Sequence, residues 1–160
     1  MNRSVPPVSE CMTSNPHTVA SDQPLAAAHQ LMRTHAIRHL PVVDGGKLVG
    51  VVSMDDLHLI ETLKNVELHS VPIADAMTPE PFIVVAEEPL DRVLEYMIEH
   101  KIGSAIVMGT FQSGQGNAVT PSVTTAELGD GDGMELVGVF TTSDAMQTLL
   151  RLLRRSDPLH

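Results

Sequence analysis

Residues 48–57 read LVGVVSMDDL, a short apolar strand that ends in a serine and two acids. Residues 136–145 read LVGVFTTSDA, with the glycine, a hydroxyl and an aspartate at the same spacing. Two strands ending in one G-x-x-[ST]-x-x-D pattern point to a duplication, and a repeat decides a fold before any local pattern does. Laying Met12-Thr13 on Met77-Thr78, 65 residues later, puts Pro16 on Pro81, Val19 on Val84, Pro24-Leu25 on Pro89-Leu90 and Met32 on Met97 without a gap. His35 then falls on His100, Ile37 on Ile102 and Val42 on Val107. Beyond that point the offset is 88, Gly50 matching Gly138, so the second copy carries 23 extra residues in one place. Two copies of one unit make up the chain.

Each copy parses in the same order. PHTVAS and PFIVVA read as short strands following a proline. SDQPL and AEEPL place proline where a first helical turn tolerates it, with Ser21 or Asp22 as the expected cap of the first helix. In the second copy Leu90, Val93, Leu94 and Met97 form an i, i+3, i+4, i+7 stripe. Its counterpart, Leu25, Ala28, His29 and Met32, is weaker and contains a histidine, which we expect to be packed rather than ligating. The first helix is expected to end near Ala36, so His35 and His39 share no helical face. HLPVVD and SAIVM read as strands, and DGGK at 44–47 as a tight hairpin turn leading back along KLVGVVS into a second helix. The order is β-α-β-β-α, twice, an α+β fold. The expected division is an N-terminal tail at 1–9, a first unit at 10–66, a linker at 67–74, a second unit at 75–155 and a C-terminal tail at 156–160. An insertion rich in Gly, Ser and Thr at about 109–133 replaces the second hairpin turn.

Composition narrows the function. Among the 160 residues only 2% are aromatic and none is Trp, so aliphatic and Met side chains fill the core and would border any flat ligand. A net charge of −10 argues against nucleic acid, whose phosphates demand clustered Lys and Arg. RLLRR at 151–155 reads as a helix end whose dipole favours cations. The single Cys11 allows no internal disulfide and suits a reducing compartment. No apolar run approaches the roughly 18 residues that span a bilayer. MNRSVPPVSE lacks the apolar stretch of a secretory signal, so a cytoplasmic protein is expected.

The repeated G-x-x-[ST]-x-x-D ends admit two readings. Ser53 with Asp56, and Thr141 with Asp144, fit a helix capping box with Asp in place of the usual Glu. The same geometry suits a nucleoside phosphate. Free amides and a hydroxyl at a helix N-terminus favour phosphate, while a carboxylate one turn in can accept both hydroxyls of a ribose. The glycine before them would let a ligand approach the backbone.

The duplicated unit, the openings ECMTSNPHTV and DAMTPEPFIV, the IRHLPVVD strand and the paired G-x-x-[ST]-x-x-D ends together resemble a tandem pair of CBS domains, the Bateman module. The resemblance covers about residues 10–153. It implies two units packed about a pseudo-two-fold axis, with clefts that take AMP, ADP, ATP or S-adenosylmethionine. By the same resemblance Asp56 and Asp144 hold ribose, and Ser53, Thr141, Arg38 and His39 lie near phosphate. Thr18, Val19, Leu40 and Pro41 border one adenine; Ile83, Val84, Ala105 and Ile106 border the other. Arg38-His39 falls on Gly103-Ser104, so the two sites are expected to be inequivalent. The resemblance also implies a regulatory module that forms homodimers and acts on an effector protein. The competing reading is a structural dimerisation module whose clefts are vestigial.

Other chemistry has little support. Eight histidines suggest metal, yet no third ligand stands at a recognisable spacing from His35 and His39, and no metal is expected. DGDG at 130–133 lacks the spacing and terminal Glu of a calcium loop. There is no G-x-S-x-G, phosphate-binding G-x-x-x-x-G-K or Cys-His arrangement, so no catalytic residue is expected.

Overall fold

A computed structural model describes residues 4–63, 65–110 and 134–155. It divides into two compact units: residues 16–81 form one, and residues 1–15 with 82–160 form the other. Both units are mixed α/β; the first is one contiguous stretch of chain, whereas the second is assembled from two.

In the unit formed by 16–81, helix α1 (Leu25–His35) is followed by strands β2 (His39–Asp44) and β3 (Lys47–Ser53) and helix α2 (Met54–Glu61). Asp44 and Lys47 close the hairpin, with Gly45 and Gly46 at φ of 56° and 83°. Both values belong to the left-handed region that the Gly-Gly pair was expected to supply. A 3-10 turn at Ile73–Asp75 leads to β4 (Thr78–Pro79), and the sheet order is β2-β3-β4. Where PHTVAS was expected to be a strand, a single parallel bridge joins Val19 to Val42.

The other unit begins with a 3-10 turn at Val8–Glu10 and strand β1 (Thr13–Ser14). It continues with β5 (Ile83–Val85), α3 (Leu90–His100), β6 (Ser104–Thr110), β7 (Met134–Thr141) and α4 (Thr142–Arg155), in the sheet order β1-β7-β6-β5. Thus the Met-Thr segment that opens the first sequence copy closes the sheet of the second. The segment that opens the second copy closes the sheet of the first. Of the expected insertion at 109–133, Gly109 and Thr110 continue β6, and the rest lies outside the described residues.

Helix caps show why these segments belong where they pack. Neither Ser21 nor Asp22 caps α1; its N-cap is Pro24, without a side-chain bond. Ser21 instead donates its hydroxyl and its amide to Asp44. The orphan amides of α1 are met by distant carbonyls, Leu25 N donating to Val71 O at 2.9 Å and Ala26 N to Leu68 O at 3.1 Å. In α3 the corresponding bond runs from Leu90 N to Pro6 O at 3.0 Å.

Each unit has its own core. Leu25, Ala28, Met32, Leu40, Val42, Val52, Leu57 and Ile73 pack in one. Val8, Cys11, Val84, Leu90, Val93, Met97, Ala105, Val107 and Phe140 pack in the other. Met32 and Met97 fill equivalent places, as expected of a core poor in aromatics. His29 is half-buried, its Nδ1 3.9 Å from Glu61. Helix α1 ends at Ala36, in the left-handed conformation, and His35 stacks on His17 with ring centres 3.8 Å apart. Phe82, Tyr96 and His100 form the matching stack in the other unit. No helix of the described residues is long and apolar enough to cross a membrane.

Candidate functional site

Both G-x-x-[ST]-x-x-D motifs stand at a strand-to-helix junction. Ser53 ends β3 and is the N-cap of α2. Asp56 N donates to Ser53 Oγ at 3.2 Å, and Ser53 N donates back to Asp56 Oδ2 at 2.8 Å. The Ser53 hydroxyl donates to the same Oδ2 at 2.9 Å. The other junction repeats this, with Asp144 N to Thr141 Oγ1 at 3.3 Å and Thr141 N and Oγ1 to Asp144 Oδ2 at 2.9 and 3.1 Å. The capping reading therefore holds at both places.

Capping decides what else these groups can do. A hydroxyl has one proton, and Ser53 and Thr141 spend theirs on their own aspartates. Met54 N donates to Arg38 O at 2.8 Å and Thr142 N to Gly103 O at 3.2 Å, so few of the expected helix-end amides remain for an anion. What stays open is acceptor capacity. Asp56 is half-buried, its Oδ2 is fixed by the box, and its Oδ1 accepts no bond from the described residues.

The two carboxylates differ on one point. Thr13 Oγ1 donates to Asp144 Oδ1 at 3.1 Å, whereas Thr78, its sequence counterpart, makes no such bond to Asp56 among the described residues. Sequence reasoning does not find Thr13, since the contact spans 131 residues and its only local sign is the repeated Met-Thr pair.

The glycines of the motifs serve the fold. A Cβ on Gly50 would stand 2.7 Å from Met77 Sδ and 2.8 Å from Thr78 O. On Gly138 it would meet Met12 Sδ and, at 2.9 Å, Thr13 O. The space expected to admit a ligand holds the crossing strand instead.

Arg38 is exposed and pairs with Asp55, Nη2 to Oδ1, at 2.9 Å. In the other unit Gly103 and Ser143 take these two places, so the cation and its counter-ion are lost together. His39 pairs with Ser53 across β2 and β3. Its burial holds the imidazole below its ordinary value, and the adjacent Arg38 adds to this while Asp55 and Asp56 oppose it. The neutral ring is therefore favoured.

The apolar candidates divide between the faces of their sheets. Val19, Leu40, Val84 and Ala105 belong to the two cores. Pro41, Ile83 and Ile106 are buried outside those clusters, and Thr18 is exposed. Neighbours on a strand point to opposite faces, so Leu40 and Pro41 cannot both present side chains to one ligand. The structure groups Thr18, Val19, Arg38, His39, Leu40, Pro41, Ser53 and Asp56 in the unit of 16–81. Ile83, Val84, Ala105, Ile106, Thr141 and Asp144 lie in the other. Among the described residues no group of three His, Cys, Asp or Glu side chains is placed to hold a metal.

The CBS domain family model matches residues 8–61 and 73–151. A Vibrio cholerae protein named for acetoin utilization (AcuB) is 27% identical with a TM-score of 0.70, over 98% of this chain and 99% of that one. The CBS domain pair of protein MJ0100, solved with 5'-methylthioadenosine and S-adenosyl-L-methionine, is 23% identical with a TM-score of 0.69, over 91% and 97% of the two chains. CBSX2, solved with AMP, is 24% identical with a TM-score of 0.66, over 92% and 98%. Among curated proteins, the inosine-5'-monophosphate dehydrogenase of Korarchaeum cryptofilum is 34% identical over 85 residues. That match covers 53% of this chain and only 17% of the enzyme.

Proposed function

The chain belongs to the CBS domain family, and from that premise we propose that it is a non-catalytic regulatory sensor of adenosine-containing ligands. The observation that carries this reading is Asp56, a half-buried carboxylate with one oxygen fixed by its cap and the other accepting nothing from the described residues, which suits it to accept from a sugar. A carboxylate so held is oriented before the ligand arrives, which lowers the ordering cost of binding. Asp56 and Asp144 take ribose hydroxyls in this proposal. Thr18, Pro41, Ile83 and Ile106 border adenine with side chains; Val19, Leu40, Val84 and Ala105 contribute backbone. Ser53 and Thr141 orient the aspartates, and any phosphate falls to Arg38 and His39. Similarly folded CBS pairs have been solved with AMP and with S-adenosyl-L-methionine, which supports these two within a proposed ligand set of AMP, ADP, ATP and S-adenosylmethionine.

The sensor acts as a cytoplasmic homodimer on an effector protein. Met146, Leu149, Leu150 and Leu153 form an exposed i, i+3, i+4, i+7 stripe on α4 that a second copy can cover. A ligand alters the effector only by binding one arrangement of the module better than another. Calorimetry with AMP, ADP, ATP and S-adenosylmethionine, with GMP as control, tests the reading. Saturable binding of at least one adenosine compound, with GMP excluded, is expected. Silence from all four leaves the second reading, a structural interaction module with vestigial clefts. That reading draws on Arg38 being engaged by Asp55 and on the missing basic pair in the second copy.

A further inference from the structure

We propose that Thr13 is a specificity-determining residue that makes the Asp144 site the weaker of the two, by occupying the carboxylate oxygen a sugar would use. The inference rests on the adenosine reading above. Asp144 Oδ2 is taken by the backbone and hydroxyl of Thr141, and Oδ1 receives Thr13 Oγ1 at 3.1 Å. A sugar hydroxyl arriving there must share Oδ1 or displace Thr13. At Asp56 the equivalent oxygen accepts nothing from the described residues, so no protein donor has to leave.

The difference lies in the hydroxyls and not in the strands. Thr13 pairs with Val139, and Thr78 pairs with Val51. Those partners are themselves equivalent at the offset of 88, so the two strands have one register. The neighbours differ, Ser14 following Thr13 and Pro79 following Thr78. Proline restricts the backbone of the residue before it, so the two threonines do not have the same conformational freedom. Thr13 is exposed, and a rotation about its Cα–Cβ bond can turn the hydroxyl to water. The latch is thus displaceable. The Asp56 site fills first and the Asp144 site at higher ligand concentration, so one chain can report two ranges of one ligand.

The test weakens one site at a time. In Asp56→Asn, where the Asp56 site is weakened about tenfold or more, adding Thr13→Val is expected to tighten AMP binding at the Asp144 site about ten- to a hundredfold, the weight of one displaced hydrogen bond to a charged group. In Asp144→Asn, adding Thr78→Val is expected to change AMP affinity less than about twofold, since no bond is lost. A ligand-free double-mutant cycle on unfolding, Thr13→Val with Asp144→Asn, reads the bond itself and is expected to show coupling that the Thr78→Val with Asp56→Asn cycle lacks. Coupling with unchanged or weakened AMP binding in the Thr13→Val variant overturns the gating role while leaving the adenosine reading intact. Absence of AMP binding in the wild type and in every variant removes the adenosine reading and the gate together. The cycle then reports only a structural bond.

Discussion

The Thr78 carbonyl lies over Gly50 so closely that a Cβ there would stand 2.8 Å from it, and the Thr13 carbonyl lies over Gly138 in the same way, at 2.9 Å. Two glycines of the ligand-like motif are thus required by strand crossing. Gly50→Ala and Gly138→Ala are each expected to destabilise the ligand-free protein by about 1–3 kcal/mol, because backbone cannot yield as a side-chain tip does. Denaturant unfolding measures this. Unchanged midpoints would mean the crossing strands are free to move away.

Asp56 carries both a cap and the proposed sugar contact, and the two roles separate by magnitude. Asp56→Asn keeps an acceptor for Ser53 N and is expected to cost under about 1 kcal/mol of stability. The same change is expected to weaken AMP binding about tenfold or more, since an uncharged acceptor replaces the carboxylate. Calorimetry beside thermal melting gives both numbers. Equal losses in each would reduce Asp56 to its cap.

Arg38 and Asp55 form an ion pair in which both side chains are largely exposed, so breaking it should change stability by no more than about 1 kcal/mol. If Arg38 also serves phosphate, Arg38→Ala weakens ADP far more than adenosine. Equal losses for both ligands would assign Arg38 to the surface pair alone.

His39 predicts a pH dependence of defined sign. Burial disfavours its charged form, so the folded-state value lies below 6.5 and the unfolded chain takes up the proton first. Its contribution to stability is complete above 6.5 and is lost as pH falls through the folded-state value. Melting temperatures of the wild type should fall through this window more steeply than those of His39→Gln. Parallel curves would show that the imidazole is not the source.

Glu88 works in the opposite sense. It is buried, its Oε1 has no hydrogen-bond partner among the described residues, and burial pushes its carboxyl above the ordinary 4.5. Its contribution is present below 4.5 and is lost as pH rises through the folded-state value, so at neutral pH the charge is a burden on the fold. The first copy carries Gln23 at this place, with Oε1 accepting from Ala20 N at 2.8 Å. Glu88→Gln is therefore expected to raise the melting temperature at pH 7. A fall would show that the ionised carboxylate is stabilised by something in this unit.

The repeat, the element order, the Asp44–Lys47 hairpin, the end of α1 at Ala36 and both capping boxes could be read from the chain itself. The repeat shows as register held over the whole chain; the rest depend on short spacings, a Gly-Gly pair in a turn or a hydroxyl three residues before an acid, where geometry follows from covalent connection. The partners of Ser21, of the α1 amides, of Gly50 and of Asp144 could not be read this way. Each is supplied by a segment far along the chain, Asp44, Val71, Thr78 and Thr13, and many alternative pairings satisfy the same local chemistry. Only packing selects among them, because it places the short Met-Thr strands on the sheets of 16–81 and of 82–160. That placement decides which aspartate keeps an open oxygen and which one already holds a threonine.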